Sequence, residues 1–146
     1  MSFAKDFKRF AKLTNASLDE TGRAIALELF SGVIKDTPAD TGRARGNWQA
    51  SIGTPENGVI SGGDESATET PAPNGDGPKT AEAIKAVDRI IDSFGMGKVI
   101  YLSNNLPYIY RLEFLAWSKQ SPAGMVRKNA ARIQANIRKA VSENKV

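Results

Sequence analysis

Apolar residues recur at every third or fourth position in several stretches of the chain, and this spacing predicts amphipathic helices. The first stretch, residues 2–13, places Phe3, Phe7 and Phe10 along one side and basic residues on the other. A helix of about 12 residues is marginal by itself, so we expect this docking helix to pack on another surface. That surface is the body of the same domain, a neighbouring subunit or, less economically, a membrane.

A second helix is predicted from Ser17 to about Lys35, because Ser17 and Glu20 match a capping box. Its apolar residues fall on two nearly opposite faces, so it needs two packing partners. One is expected to be a sheet, and the other the N-terminal helix or an adjacent protomer. Capping and proline signals predict further helices over residues 80–94, 107–114 and from 121 toward the C-terminus.

Between these helices the pattern changes to alternation. Trp48, Ala50 and Ile52 lie on one side of a predicted strand, and a turn over residues 55–58 leads to Val59 and Ile60, which predicts a β-hairpin. Residues 99–102 also have strand composition. The predicted fold class is therefore α+β, with a small antiparallel sheet of three to four strands packed by long helices.

Residues 61–78 are rich in Gly, Ser, Thr, Pro and acidic side chains, which predicts an extended acidic loop or arm. We expect two units along the chain. Residues 1–15 form the docking helix, and residues 16–146 form a single α+β domain that includes the arm.

Composition narrows the possible chemistry. The 146 residues include no cysteine and no histidine, so disulfides, thiolate sites, histidine metal ligands and the commonest acid/base group are excluded. We expect no cofactor and no metal. No apolar run approaches the roughly 20 residues that span a bilayer, so a soluble protein made inside the cell is expected, without a membrane partner.

The net charge of +4 is unevenly distributed, with basic residues near both termini and acidic residues in the central loop. Opposite charges within one subunit suit side-by-side or stacked self-association. Solvated helix faces are the simpler interpretation. The same basic residues leave DNA binding open, although no aromatic residues alternate with them as in a base-stacking surface.

Carboxylates are the only remaining catalytic groups of note. A metal-dependent nuclease would have to gather residues scattered along the chain, namely Asp64, Glu65, Asp88, Asp92 and Glu113. Their spacing gives this little support, since the first two lie in the broken loop and the next two form a pair one helical turn apart. Solvated acids are the simpler interpretation, and we expect no enzymatic activity.

Two dense segments stand out, residues 37–48 and 103–113. In the first, Asp40, Thr41 and Gly42 predict a turn, and Arg43 and Arg45 follow it just before the strand that carries Trp48. Paired arginines beside an aromatic residue suit an interface anchor, while a plain helix-to-strand connection is the structural alternative. In the second segment we expect Ile109, Leu112 and one tyrosine to be in the core.

The order Thr-Pro-x-Asp-Thr-Gly-Arg-x-Arg-x-x-Trp, followed later by Ser-Asn-Asn-Leu-Pro-Tyr-x-x-x-Leu-Glu and Trp117-Ser-Lys-Gln, resembles the tail-completion, or neck, minor tail proteins of long-tailed bacteriophages (siphophages). The resemblance covers about residues 17–131. The chain departs from the family at Phe114-Leu115-Ala116, where glycine often follows the Glu-aromatic pair.

The resemblance implies a non-enzymatic virion protein, made in the host cytoplasm, that completes the tail and joins it to the head. It implies a homo-oligomeric ring, with six copies expected, through which genomic DNA passes without sequence-specific binding. A basic DNA-binding module in genome packaging or ejection is the alternative. The predicted contacts with other copies and with adjoining neck and tail proteins are Asp40, Thr41, Gly42, Arg43, Arg45, Trp48, Asn104, Asn105, Tyr108, Tyr110, Arg111, Glu113 and Trp117, with Phe3, Phe7 and Phe10 in the docking helix.

Overall fold

A computed structural model describes residues 3–37, 43–59, 78–107, 109–115 and 124–144. These residues form six helices and two strands. In chain order the elements are α1 (Phe3–Leu13), α2 (Leu18–Asp36), α3 (Arg43–Gly46), β1 (Gln49–Ile52), α4 (Pro78–Ile91), β2 (Ile100–Ser103), α5 (Ile109–Phe114) and α6 (Val126–Asn144).

Helix α2 lies at the centre of the fold, between α4 on one side and α6 with α1 on the other. On the α4 side, Phe30 and Ile34 are buried in the main core. On the α6 side, Ile25 and Leu29 pack against Ile133 and its neighbours on α6. Helix α2 thus packs on two sides, as predicted, but α4 covers one side where a sheet was expected, and α6 joins the N-terminal helix α1 on the other.

Both ends of α2 follow from the sequence. The Ser17 hydroxyl accepts a hydrogen bond from the Glu20 backbone N–H at 3.1 Å and donates to the Glu20 carboxylate at 3.0 Å. The predicted cap is thus confirmed, although Glu20 binds the hydroxyl of Ser17. At the other end, Thr37 precedes a proline and is extended, with φ −71° and ψ 129°, because proline disfavours helical geometry in the residue before it.

The prediction of three to four strands is wrong. Within the described residues the sheet has two strands, β1 and β2, paired antiparallel with Gln49 opposite Ser103 and Ile52 opposite Ile100. The protein is mostly helical. The expected hairpin partner of β1 is not a strand as far as Val59, and Ile60 lies outside the described residues.

Side-chain amides explain the missing strand. The segment after β1 is held by Gln49, whose amide donates to the Gly58 carbonyl at 2.8 Å, and by Asn105, whose amide donates to the carbonyls of Glu56 and Gly58 at 2.9 and 3.0 Å. These bonds satisfy carbonyls without a backbone ladder. Pro55 lacks an N–H and Gly58 has little strand propensity, so the segment has little tendency to pair as a strand.

Two glycines of α2 provide a matched test of its packing. A Cβ on Gly32 would overlap the Asn129 amide oxygen and lie 3.0 Å from Asn129 Cγ, whereas a Cβ on Gly22 would make ordinary contacts at 3.5 Å with Phe94 and 3.8 Å with Phe7. Asn129 is buried and its amide nitrogen bonds Asp36 at 2.7 Å, so it has little freedom to move.

We expect Gly32→Ala to lower the free energy of unfolding by about 1–3 kcal/mol through overpacking. Gly22→Ala should raise it by about 0.5–1 kcal/mol, since alanine is the better helix former. Urea denaturation of both variants checks this, and equal effects at the two sites would contradict the close packing of α2 against α6.

Candidate assembly surface

Arg45 connects three elements from inside the protein. It is on the four-residue helix α3 and only 1% exposed. Its guanidinium donates to the carbonyl of Thr37 at 2.6 Å, to the carbonyl of Lys35 at 3.1 Å and to the hydroxyl of Thr80 on α4 at 3.1 Å. The side chain therefore holds the C-terminus of α2 to α3 and α4.

Thr37 receives a second side chain from the same segment. The indole N–H of Trp48 donates to the Thr37 hydroxyl at 2.8 Å, and that hydroxyl lies 2.6 Å from the Val33 carbonyl, to which it donates. Thr37 is fully buried and Trp48 is 6% exposed. The buried indole N–H therefore has a hydrogen-bond acceptor, which it needs because it has no access to water.

Arg45 and Trp48 were predicted as interface anchors, and the structure corrects this because both side chains are buried within one chain. Of the other predicted residues in this segment, Asp40, Thr41 and Gly42 lie outside the described residues, and so does the side chain of Arg43. Thr80, the first residue of the helix predicted over 80–94, lies inside α4, and its hydroxyl accepts a hydrogen bond from Arg45.

The second segment meets the first through Asn104. Its side-chain amide donates to the Ala44 carbonyl at 2.9 Å, and its amide oxygen accepts from the Leu106 backbone N–H at 3.2 Å. The neighbouring Asn105 is exposed and binds the segment after β1, as described above. Both asparagines thus hold loops in place within the chain.

Glu113 caps a helix from a distance. Its carboxylate accepts hydrogen bonds from the backbone N–H groups of Met125 and Val126, each at 2.8 Å, and of Arg127 at 3.1 Å. These are unpaired donors at the start of α6. The Arg127 guanidinium adds a salt bridge at 2.9 Å and also donates to the Glu113 carbonyl.

Gly124 makes this cap possible. It has φ +83°, and a Cβ there would lie 2.6 Å from the Glu113 carbonyl oxygen and 2.7 Å from its carboxylate. Only glycine accommodates both the conformation and the approach. Since Glu113 is 7% exposed, its predicted interface role is corrected: its carboxylate binds within the chain.

The electrostatics of the cap favour the charged carboxylate. Burial alone would raise the pKa of Glu113, but the hydrogen bonds from Val126, Met125 and Arg127 outweigh it and hold the pKa below its usual value. Each of these bonds favours the ionised form, in keeping with an anion at a helix N-terminus.

Helix α5 presents an exposed aromatic face beside this cap. Tyr110, Phe114 and Leu115 are 60%, 50% and 59% exposed, and we call these three residues the α5 knob. The two rings lie 4.9 Å apart, and the Arg127 guanidinium lies 4.9 Å from the Phe114 ring centre. Ile109 and Leu112 pack inward, as predicted. Tyr110 and Arg111 are exposed, and Tyr108 and Trp117 lie outside the described residues.

A second apolar surface lies between α1, the first two thirds of α2 and the turn before β2. This apolar groove has a volume of about 450 Å³ and is lined by Phe3, Phe7, Leu18, Gly22, Ile25, Leu29, Phe30, Phe94, Met96 and Ile100 among others. Its mouth is exposed at Phe3, Leu18 and Met96. Phe10 instead packs on the apolar residues of α6.

The docking helix therefore packs on its own chain, and part of its aromatic stripe, at Phe3, remains exposed to solvent. Sequence reasoning identified Phe3 and Phe7 but missed the groove, because its walls come from segments far apart in the chain. The exposure of Phe114 and Leu115 was missed too, since an exposed apolar residue has no local signature.

The described residues hold no cluster of three acidic, cysteine or histidine side chains that could bind a metal ion. Asp88 and Asp92 lie exposed on and just after α4, and Glu113 caps α6, while Asp64 and Glu65 lie outside the described residues. Among the described helices, none has the length and apolar character to cross a membrane.

Comparison with known proteins identifies no relative: no family model, no curated protein and no solved structure matches this chain. The resemblance to phage neck proteins therefore rests on the two sequence segments alone.

The Arg45 cluster is testable by a conservative change. Arg45→Lys keeps the charge but cannot reach acceptors on α2 and α4 together, so we expect the free energy of unfolding to fall by about 2–4 kcal/mol. Arg89→Lys, on the exposed side of α4, is the control and should change it by under about 0.5 kcal/mol. Similar small effects in both variants, measured by urea denaturation, would contradict the connecting role of Arg45.

The Glu113 cap predicts a pH dependence. The folded pKa lies below the unfolded value of about 4.3, so the stabilisation is complete above that value and is lost as the pH falls through the folded pKa. We expect Glu113→Gln to lose about 1–3 kcal/mol at pH 7, with the difference from wild type narrowing below about pH 4.

Glu143→Gln is the matched control, because Glu143 is exposed in the last turn of the same helix. It should have almost no effect at pH 7 or raise stability slightly, since a carboxylate is unfavourable at a helix C-terminus. Thermal unfolding across pH 3–8 measures both variants. A Glu113→Gln deficit that persists unchanged at low pH would indicate lost packing instead of a lost charged cap.

Proposed function

We propose that this chain is a structural subunit of the neck of a long-tailed bacteriophage, and that it completes the tail and joins it to the head without catalysing a reaction. The observation that carries the proposal is the meeting of the two segments that resemble this family. Asn104 of the second segment donates to the Ala44 carbonyl of the first at 2.9 Å. The two segments are far apart in sequence but belong to one structural unit. If the resemblance were due to chance, there would be no reason for the two segments to contact each other.

The use of their polar side chains also supports a structural role. Arg45, Trp48 and Glu113 satisfy helix ends and buried polar groups within the chain. These three side chains stabilise the fold, whereas the α5 knob beside them exposes aromatic and aliphatic side chains. Exposed apolar patches of this kind are typical of protein contacts.

In this proposal identical copies form a ring around the DNA channel, with six copies expected, and adjoining neck and tail proteins bind its two ends. The genome passes through without sequence-specific contacts. The protein is assembled into the virion after synthesis in the host cytoplasm.

A DNA-binding module is the alternative, favoured by the exposed cations Lys128, Arg132 and Lys139 on α6. Two of these cations are already paired with acids of α2: Lys128 lies 3.4 Å from Asp36, and Arg132 lies 3.3 Å from Glu28. Such pairing reduces the charge available to phosphates, so we favour the structural role.

Electron microscopy of particles produced by the phage that encodes this chain tests the proposal. We expect several copies arranged as a ring at the head-tail joint, and deletion of the gene should leave filled heads and separate tails. Joined, infectious particles that lack the chain would contradict the neck function.

Duplex DNA binding by the purified protein separates the two functions. The structural role predicts weak affinity with little dependence on salt. Affinity that falls about 10³-fold or more between 50 and 200 mM salt, and that is lost in a Lys128→Gln, Lys139→Gln variant, would favour the DNA-binding module.

A further inference from the structure

The geometry points to a head-to-tail contact in which the α5 knob of one copy occupies the apolar groove of the next copy. This inference rests on the proposed function and identifies the surfaces that would build the ring. Both surfaces belong to the same chain, and no α5 residue lines the groove. Within the part of the chain that the structure describes, Tyr110, Phe114 and Leu115 of the knob and Phe3, Leu18 and Met96 at the groove mouth are exposed.

The two surfaces lie at opposite ends of α2. Helix α6 runs antiparallel to α2, since Asn129 bonds Asp36 at 2.7 Å and Arg132 approaches Glu28 at 3.3 Å. The knob is fixed to the start of α6 through Glu113 and so lies near the C-terminus of α2. The groove mouth lies at the other end, where the Asp19 carboxylate accepts from the Met96 N–H at 2.8 Å.

This placement determines the symmetry of the contact. From residue 18 to residue 36 of α2, at 1.5 Å per residue, the separation is about 27 Å, so a knob cannot enter the groove of its own chain. A contact between two different patches is heterologous, and repetition of such a contact gives a closed ring or an open filament. A knob and a groove at opposite ends of one helix permit such repetition, and the proposed function selects the closed ring.

Charge favours a second copy as the occupant. Arg111 and Arg127 flank the knob, while Asp19 lies on the α2 wall of the groove mouth. Among the groove-lining residues the one cation is Lys8, on the α1 wall. An incoming knob brings the positive charge of Arg111 toward the Asp19 wall, and Trp, Tyr and Arg are the residues most enriched among strong interface contacts.

The acidic segment of the chain is a poorer occupant. Residues 61–77 contain no apolar side chain larger than alanine or proline. They offer little apolar surface to a groove of about 450 Å³ lined mainly by aromatic and aliphatic residues. The knob, by contrast, offers two aromatic rings and a leucine.

The absence of cysteine permits a direct test. Tyr110→Cys marks the knob and Met96→Cys marks the groove mouth, and both positions are 60% exposed, so neither change should impair folding. Mixed at about 1 mM with a short bismaleimide crosslinker, the two full-length variants should give a covalent dimer with one copy of each. The yield should exceed that of either variant alone at least about tenfold.

A double variant that carries both cysteines should give a ladder of covalent multimers, because each copy then links to two neighbours. Tyr110→Cys mixed with Ala135→Cys is the control, since Ala135 is exposed on α6 outside both surfaces. A yield from either single variant that equals the yield of the mixture would indicate a symmetric contact, and a mixture yield no higher than that of the control would indicate another occupant. Either result overturns the inference.

Charge substitutions give a second measurement that does not depend on crosslinking. Tyr110→Glu and Met96→Glu should each abolish self-association in sedimentation experiments, while their equimolar mixture should recover a dimer through its one intact contact. Val99→Glu is the control, because Val99 is 57% exposed but does not line the groove. A mixture that stays monomeric while wild type associates would refute the pairing.

These results separate the contact from the neck function. A ring at the head-tail joint without the predicted crosslinks would retain the function and reject the contact. A crosslinked ladder from a protein absent from particles would retain the contact and reject the function.

Discussion

The fold depends on a buried cation that finds its acceptors at the end of a helix. The last carbonyls of α2 lack partners within the helix and carry partial negative charge. Arg45 uses two of them, those of Lys35 and Thr37. These carbonyls are available only because α2 ends at the residue before a proline. The proline that ends α2 thus leaves the carbonyl groups that bind Arg45, and Arg45 holds α3 and α4 in place.

Glu113 is the opposite case at the nearby start of α6. There the unpaired groups are N–H donors, and an anion from α5 satisfies three of them. The two helix ends are adjacent, since Asn129 bonds Asp36. One segment therefore supplies a cation to a helix C-terminus and the other supplies an anion to a helix N-terminus. This shared arrangement explains why each segment contains one charged side chain that is buried, Arg45 in the first and Glu113 in the second.

Local signals predicted much of the fold, and long-range contacts decided the rest. The cap at Ser17 and the end of α2 before Pro38 depend on neighbours within a few residues, so the sequence was sufficient for them. The partner of β1 is set by a strand about fifty residues away, and the sequence offered a nearer choice at Val59. Arg45 was mistaken for a surface anchor because nothing adjacent in sequence shows which side of α3 faces Thr80.

The interior use of the two segments changes what the resemblance means. If Arg45, Trp48 and Glu113 hold the scaffold together, then two proteins that share these segments share an architecture, and their binding surfaces lie elsewhere. In this chain the exposed apolar residues of the knob and the groove mouth lie mostly outside the segments. These exposed residues are not among the ones that hold the two helix ends in place. Such exposed residues can therefore differ between proteins that keep the same scaffold. Residues outside the shared segments would then determine which partner each protein binds.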